Sequence, residues 1–366
     1  MLAAFNSRIE DALGQLSVTN PFERSALETI SEEEPARRAL ASACSGAPDE
    51  IRERLQREYF DAGPLVPLLS DSDVTEIIVN GPDSIWVERR GSLSMIEDRF
   101  LTALTYRNFV ARLCREAQII ASLDCPFADG VWRGCRVHLI IPPASGEHAV
   151  VTLRRHPENP WTLDRLKERE WASASAIDAL KALIRDHRNF LVIGGTGSGK
   201  TSVLNACLGE IESSARVVTI EDTSELKLPN RASTKLLTRR DPQGHLREID
   251  QSELLKQALR MRPDRIVLGE IRGGEAKDLL MAFATGHKGC MGTMHADSAR
   301  QALIRLEMLV QLGAPQWNLH AVRSLIWLSL NAVVVVGRTE SGERKLDGIY
   351  RIASLEEIGF LIEKMA

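Results

Sequence analysis

One short segment constrains the fold of this chain more than any other. Residues 194–201 read Gly-Gly-Thr-Gly-Ser-Gly-Lys-Thr, which matches the pattern G-x-x-x-x-G-K-S/T. The apolar run 190–193 precedes the segment, and the helix-compatible residues 202–208 follow it. Glycines in this pattern allow a tight turn whose backbone amides point inward, so that the amides and a helix N-terminus surround phosphate groups. The segment therefore predicts a strand, a phosphate-binding loop and a helix within a nucleotide-binding α/β domain.

The parts of this loop have different tasks. Lys200 brings a positive charge to the β- and γ-phosphates, and the Thr201 hydroxyl is positioned to bind Mg²⁺. The alternative is a glycine-rich turn without a ligand, but composition alone produces the pattern in only about one or two per cent of chains of this length. The residues predicted to contact the nucleotide are Gly195, Thr196, Gly197, Ser198, Gly199, Lys200, Thr201 and Ser202.

Length and composition limit the remaining possibilities. The chain has 366 residues, and at roughly 100–200 residues per domain this predicts two domains and an attached segment. Hydrophobic residues make up 44% and charged residues 26%, which excludes a disordered, collagen-like or coiled-coil chain. The formal net charge of -4 gives no whole-chain positive excess of the kind that indicates nucleic-acid binding.

Two further features predict a cytoplasmic protein. The longest apolar stretch, residues 325–336, is interrupted by Ser329 and Asn331 and is too short to cross a bilayer, so it predicts buried core. The N-terminus lacks the apolar segment and cleavage site of a secretory signal.

The six cysteines form no C-x-x-C pair, which favours reduced structural thiols over a zinc site or a redox motif.

Composition and the spacing of apolar residues divide the chain into four parts. Residues 1–60 show helical spacing and predict a helical extension. Residues 61–156 combine short strand-like runs with an amphipathic helix, which predicts a small mixed α/β domain. Two prolines then interrupt the chain, and the interval 157–174 is predicted to be a linker. Residues 175–366 alternate apolar strands with helices, which predicts a parallel sheet covered on both faces. The strands are expected near residues 75–79, 85–88, 136–141, 149–154, 190–194, 216–221 and 265–269.

Acidic residues follow two predicted strands of the last part. One strand leads into Glu221-Asp-Thr-Ser-Glu225, and the other ends at Glu270. Ligands bind beyond the carboxyl ends of parallel strands, and hydrolysis of a nucleotide needs one carboxylate to activate water and another to hold the metal. We therefore expect these acids at the nucleotide, although solvated loop carboxylates are the alternative. Since many P-loop proteins carry Asp where Glu270 stands, its metal contact is expected to run through water.

Two histidines, His287 and His295, lie in the segment 285–296. A zinc site would need further ligands at characteristic spacing, and none is present. Contact with the γ-phosphate, with transmission of its loss to neighbouring segments, is the more plausible role.

Four of these segments, in this order, resemble the Walker A, Asp-box, Walker B and His-box motifs of the type II and type IV secretion traffic ATPases. They are residues 190–201, 219–225, 260–272 and 286–296. Upstream, residues 63–69, 75–83, 136–143 and 153–155 are similar to the N-terminal domain of the CpaF/TadA tight-adherence pilus branch. There are two departures from that branch: Asp129-Gly130-Val131 stands where it commonly has Asp-Ala-Arg, and His287-Lys288-Gly289 looks more like the conjugation and type IV secretion branch.

The resemblance implies a RecA-like P-loop ATPase domain that follows a smaller PAS-like α/β domain. It also implies a homohexameric ring with ATP and Mg²⁺ in a cleft between the two domains. By this match, Glu225 activates water, Glu270 is the Walker B carboxylate that shares the metal with Thr201, and His295 senses the γ-phosphate. Arg136 and Arg154 correspond to arginines with which the N-terminal domain of the family reaches the phosphates, with a solvated surface role as the alternative. Weaker candidates are Arg239, Arg240 and Arg262.

The implied function is a mechanochemical ATPase that converts ATP and water to ADP and phosphate. The work would drive assembly of a Tad or type IV-like pilus, or type II/IV secretion, from the cytoplasmic face of the inner membrane through a polytopic platform protein. The alternatives are an ATPase of the conjugation and type IV secretion branch and a nucleotide-gated scaffold with slow turnover. A DNA translocase or helicase is less favoured because no basic stretch interleaved with aromatic residues is present, and nucleic acid is not an expected partner.

Overall fold

The chain folds as two units in the computed structural model. The model describes residues 2–14, 37–89, 91–155, 161–239, 246–339, 342–357 and 359–366. The two units are Met1–His156 and Pro157–Ala366. None of the helices within these ranges is both long and apolar enough for a membrane span.

The N-terminal unit contains helices and an antiparallel sheet. Its helices are α1 (Leu2–Gly14), α2 (Asp49–Phe60), α3 (Leu65–Ser70) and α4 (Ala103–Ala117), and residues 37–43 are also helical. Its strands are β1 (Val74–Gly81), β2 (Ser84–Arg89), β3 (Ser92–Met95), β4 (Phe127–Trp132), β5 (Cys135–Ile140) and β6 (Val150–Arg155).

The six strands lie in the order β3-β2-β1-β6-β5-β4. Alternate residues of β5, including Val137 and Leu139, are fully buried, as the two-residue period of a pleated strand requires. Phe109 and Leu113 of α4 belong to the same core. The predicted strands of this unit are present. The sequence did not predict β3, whose residues are all exposed, or β4, where Gly130 weakens the strand pattern.

Helix α2, which the sequence assigned to an extension, is tied to the α/β domain through Glu58. This carboxylate is 1% exposed. It accepts hydrogen bonds from the Leu101 amide at 2.8 Å and the Thr105 hydroxyl at 2.5 Å, and it pairs with Arg54 at 2.6 Å. A buried carboxylate with three donors fixes the end of the helix in place. Residues 15–36 of the predicted extension lie outside the described residues.

The second unit is larger and alternates strands with helices. Its helices are α5 (Leu163–Glu168), α6 (Ala174–Arg185), α7 (Lys200–Leu208), α8 (Gln251–Ala258), α9 (Glu275–Ala284), α10 (Ala299–Gly313) and α11 (Leu319–Ser329). Its strands are β7 (Phe190–Gly194), β8 (Val217–Glu221), β9 (Thr234–Leu237), β10 (Arg265–Ile271), β11 (Met291–His295), β12 (Ala332–Arg338), β13 (Arg344–Glu356) and β14 (Gly359–Lys364).

Its sheet has the order β14-β13-β12-β7-β11-β10-β8-β9. The pairs from β12 to β9 are parallel, and β13 and β14 continue the sheet as antiparallel strands. Every residue of β7 and β8 is buried because helices cover both faces: α9, α10 and α11 pack in one core, and α6 and α7 pack in the other. The structure confirms the predicted α/β class with a parallel sheet.

Residues 161–174, predicted as part of a linker, fold onto the second unit. Thr162 caps α5 by accepting a hydrogen bond from the Arg165 amide. Leu163, Leu166 and Trp171 are buried in the core that also contains α6. Charged residues between these apolar positions give the segment a polar composition. For this reason its buried face was not predicted from the sequence.

Candidate functional site

The loop between β7 and α7 needs its glycines for two physical reasons. Gly197 and Gly199 have φ angles of 68° and 94°, in the left-handed region where residues with a Cβ are strained. A Cβ on Gly194 would collide with the Val336 carbonyl of β12. The loop therefore turns in glycine-specific conformations while a neighbouring strand passes directly against its first residue.

Lys200 and Ser198 make contacts within the loop itself. The Lys200 ammonium donates to the carbonyls of Gly194 at 3.0 Å and Gly195 at 2.8 Å. The Ser198 hydroxyl, on a residue only 3% exposed, donates to Gly195 at 2.9 Å. The side chain of Ser198 thus stabilises the loop, which leaves its backbone as the part suited to phosphate. Thr201 lies in the first turn of α7 and is half-buried.

Glu221, at the end of β8, shapes the loop that carries Glu225. Its carboxylate is 2% exposed and accepts hydrogen bonds from the amides of Glu225 at 2.8 Å and Leu226 at 2.7 Å. Its second oxygen lies 3.4 Å from the Lys235 ammonium. Burial raises the pKa of Glu221, and the two amides and Lys235 oppose that shift. The first acid of the predicted cluster is therefore a structural anchor, which holds the predicted water-activating residue at the strand end.

Arg272 contacts carboxylates at the ends of two strands. It donates to Glu270 at 2.7 Å and lies 3.6 Å from Asp222. The hydrogen bond to Glu270 raises the pKa of Arg272 and burial lowers it, while the charges of Asp222 and Glu225 add to the upward shift. Of the predicted acids, Glu270 and Asp222 thus contact one guanidinium, and the charge of Glu225 also acts on it. The role of Arg272 was not predicted from the sequence, although this residue follows Glu270 by two positions.

The two histidines lie at opposite ends of β11. His295 ends this strand and pairs in register with Gly194 at the start of the phosphate-binding loop. His287 precedes the strand, and its Nδ1 lies 3.2 Å from the Ala282 carbonyl at the end of α9. His295 is therefore at the edge of the sheet where the carboxylates lie, whereas His287 precedes the opposite end of the strand. Contact of His295 with the γ-phosphate stays a prediction, and the position of His287 does not support the same role.

The predicted N-terminal arginines lie within the first unit. Arg136 of β5 and Arg154 of β6 are directly opposite each other. Arg136 lies 3.8 Å from Asp129, and Arg154 is opposite Glu76 of β1. Their contact with nucleotide stays a prediction. Of the weaker candidates, Arg239 donates to the Arg247 carbonyl, Arg262 has a positive φ of 55°, and Arg240 is outside the described residues.

A second pair of arginines, which the sequence reading missed, contacts the phosphate-binding loop directly. The Nε of Arg338 in β12 donates to the Gly197 carbonyl at 3.0 Å, and the Nε of Arg344 in β13 donates to the same oxygen at 2.9 Å. Neither residue belongs to a recognisable motif, and both are more than a hundred positions away from the loop in the chain. Only the fold brings them there.

The side chains at this edge fit a magnesium nucleotide. Among the described residues, no group of three or more His, Cys, Asp or Glu side chains is arranged to hold a metal ion by itself. Mg²⁺ in nucleotide sites usually takes one or two protein ligands, together with phosphate oxygens and water. The Thr201 hydroxyl follows β7, and Glu270 lies near the end of β10, with β11 between the two strands. These two residues would hold the metal, which stays a prediction.

Known proteins share most of this chain. A family model described as type II/IV secretion system protein matches residues 58–336. A Mycobacterium tuberculosis protein whose name assigns it to conjugal transfer is 37% identical over 304 residues, which cover 80% of this chain and 84% of that protein. The type IV secretion system protein PtlH of Bordetella pertussis is 33% identical over 323 residues, which cover 79% and 93%. The X-ray structure of the Legionella pneumophila ATPase DotB, at 20% identity, has the same fold with a TM-score of 0.56 over 77% of this chain and 78% of that one. The chain belongs to the type II/IV secretion system protein family.

Proposed function

We propose that this chain is an ATP-hydrolysing motor of a conjugation or type IV secretion machine. One observation carries the proposal. The phosphate-binding loop, the carboxylates around Arg272 and His295 all lie at the carboxyl ends of the neighbouring strands β7, β11, β10 and β8. Hydrolysis of a bound nucleotide needs these groups on one side of its γ-phosphate.

Each group has a chemical task in this reaction. The loop amides and Lys200 bind the phosphates, and a bound Mg²⁺ would neutralise charge that develops on them. Glu225 orients and deprotonates the attacking water, while His295 contacts the γ-phosphate and changes its contact when that group leaves. Arg272 donates to Glu270 and restricts the motion of this carboxylate, which with Thr201 would hold the metal.

The family match supports a proposal for the assembly and its partners. We propose a homohexamer that works on a polytopic inner-membrane platform protein, so that the chain is cytoplasmic and reaches the membrane only through partners. The names of the M. tuberculosis and B. pertussis relatives favour conjugation or type IV secretion. Assembly of a tight-adherence pilus is the second candidate, and the upstream segments 63–69 and 136–143 support it.

Release of phosphate by the purified hexamer tests the reaction. We expect Lys200→Ala to lose ATP binding and turnover together. We expect Glu225→Gln to keep ATP binding and to lower kcat by about 100-fold or more, which is the usual contribution of a general base. The matched controls are Lys256→Ala and Glu168→Gln, which change exposed side chains outside the site and should leave turnover unchanged.

Two outcomes of this assay would redirect the proposal. Equal activity in the wild type, Lys200→Ala and Glu225→Gln would remove the proposed site. Tight ATP binding without turnover, even with membrane lipid and the platform protein present, would favour the nucleotide-gated scaffold. The identity of the membrane protein that co-purifies with the ring would decide between secretion and pilus assembly.

A further inference from the structure

The hairpin of β12 and β13 places two arginine side chains against the phosphate-binding loop. In its register Arg338 is directly opposite Arg344. Like charges at directly opposite positions of an antiparallel pair disfavour the sheet. Both guanidinium groups nevertheless converge, since each places its Nε within 3.0 Å of the Gly197 carbonyl oxygen.

The loop is built to admit these two side chains. A Cβ on Gly197 would approach the Arg338 Nη2 to 2.5 Å, and a Cβ on Gly199 would approach the Arg344 Cδ to 3.2 Å. The glycines that give the loop its left-handed turns therefore also leave room for the hairpin. We call Arg338 and Arg344 the hairpin arginine pair.

The order of the strands indicates which end of a bound nucleotide this pair would face. β12 is next to β7 on one side, and β11, β10 and β8 with His295 and the carboxylates are on the other. A loop of this type surrounds the phosphates next to the γ-phosphate. If the γ-phosphate points toward the carboxylates, the α-phosphate and the sugar point toward β12 and β13.

We propose that the hairpin arginine pair binds the part of the nucleotide that ATP and ADP share, at the α-phosphate and its sugar. This inference rests on the proposed function. Guanidinium groups suit the task because they remain charged and present several N–H donors in a fixed plane, of which Nε contacts the loop. The pair contributes to binding of substrate and product alike, and it does not distinguish the transition state.

Equilibrium binding and steady-state kinetics test this pair. Arg338→Gln and Arg344→Gln should each weaken binding of ATP and of ADP by the same factor, about tenfold for the loss of a charged hydrogen bond. The value of kcat at saturating ATP should stay within about twofold of wild type, because uniform binding affects KM alone. Arg338→Lys should recover part of the affinity, since it keeps the charge without the planar donors.

Arg351→Gln is the matched control. Arg351 lies on the same strand β13, but its Nε donates to Glu363 at 2.8 Å on the exposed side of the sheet, and its loss should not change nucleotide affinity. The unfolding temperature of each nucleotide-free variant shows whether the loop has collapsed.

Two results would overturn the inference: unchanged affinities or a loss confined to ATP. Unchanged affinities with a fall in kcat would make the pair a support of the loop alone. If the wild type itself bound neither ATP nor ADP, the proposed function would fail, whereas normal binding by the wild type and both variants would contradict only the role of the pair.

Discussion

The two units of the molecule each hold a pair of arginines at directly opposite positions of antiparallel strands. In the first unit these are Arg136 and Arg154, here called the N-terminal arginine pair. In the second unit they are the hairpin arginine pair, Arg338 and Arg344. Both arrangements bring like charges together, which by itself disfavours strand pairing.

The surroundings of the two pairs differ. Carboxylates of the same sheet accompany the N-terminal arginine pair: Asp129 lies 3.8 Å from Arg136, and Glu76 is opposite Arg154. The hairpin arginine pair donates to the backbone of the phosphate-binding loop. By our proposal, the hairpin arginine pair binds the nucleotide in every state of the cycle. The predicted contact of the N-terminal arginine pair would instead change between substrate and transition state.

Substitution of the N-terminal arginine pair should therefore have the larger effect on turnover. We expect Arg136→Gln or Arg154→Gln to lower kcat by about 100-fold or more, as the loss of an arginine that stabilises transferring phosphate usually does. The affinity for ADP should change little. Steady-state phosphate release and equilibrium ADP binding, measured on the same preparations, separate this result from the KM effect of the hairpin variants.

Arg89→Gln is the control for that experiment, since Arg89 lies in the same sheet and forms an exposed ion pair with Asp71 at 3.1 Å. Unchanged kcat in both single variants would assign the N-terminal arginine pair to the protein surface, as the solvated alternative holds. A rise in KM without a fall in kcat would instead give both pairs the same role.

The site divides into a part that the sequence predicted and a part that it did not. Lys200 and Thr201 were predictable because a phosphate-binding loop is one contiguous segment. Glu270 was predictable because parallel strands present their carboxyl ends at one edge. The contacts of Arg338 and Arg344 join residues 141 and 147 positions apart from Gly197. They depend on which strands are neighbours, and no local pattern encodes that.

The fold shows the same division. The parallel core was predicted from its apolar strands, whereas α5 was assigned to a linker because its charged residues outnumber the few that are buried. Exposed edge strands such as β3 have no buried face to impose alternation. Hydrophobic periodicity in a sequence indicates which residues are buried. Helices and strands with few buried residues are therefore not predicted from it.

Arg272 lies in surroundings that differ from those of both arginine pairs. Its substitution tests whether the surroundings of an arginine determine its role in binding or turnover. It is held by Glu270 at 2.7 Å and lies 3.6 Å from Asp222. Arg272→Gln would leave these carboxylates without their shared cation, and Glu270 would lose its orientation. We expect kcat to fall by about 10- to 100-fold, by analogy with the loss of groups that orient catalytic ligands.

Arg272→Lys should restore part of the activity by returning the charge. Arg247→Gln is the control, because Arg247 is 79% exposed and only 4.0 Å from Glu253 in a weak surface pair. ATP affinity should be preserved in Arg272→Gln. If affinity fell while kcat was kept, Arg272 would act in the same way as the hairpin arginine pair.

The smallest effect concerns Glu76, the acid opposite Arg154. Burial raises the pKa of Glu76, Arg154 opposes that shift, and Glu88 on the other neighbouring strand adds to it. A carboxyl group whose pKa is raised by folding contributes stability below its ordinary value near 4.5, and this contribution is lost as the pH rises through the folded value. Glu76→Gln is neutral at every pH, so it should stabilise the N-terminal sheet at pH 7 and have no stabilising effect below the ordinary value.

Amide hydrogen exchange of β1 and β6, compared with wild type at the same pH, measures this difference. We expect protection at pH 7 to rise by roughly two- to fivefold in Glu76→Gln, as a partly exposed charge has a modest effect. In an Arg154→Gln background the pKa of Glu76 rises further, so the gain from Glu76→Gln should be larger. Glu97→Gln, a change at an exposed carboxylate, should alter nothing. A loss of protection in Glu76→Gln at pH 7 would mean that the attraction between Glu76 and Arg154 exceeds the cost of burial, and that the charge of Arg154 is already satisfied within its own sheet.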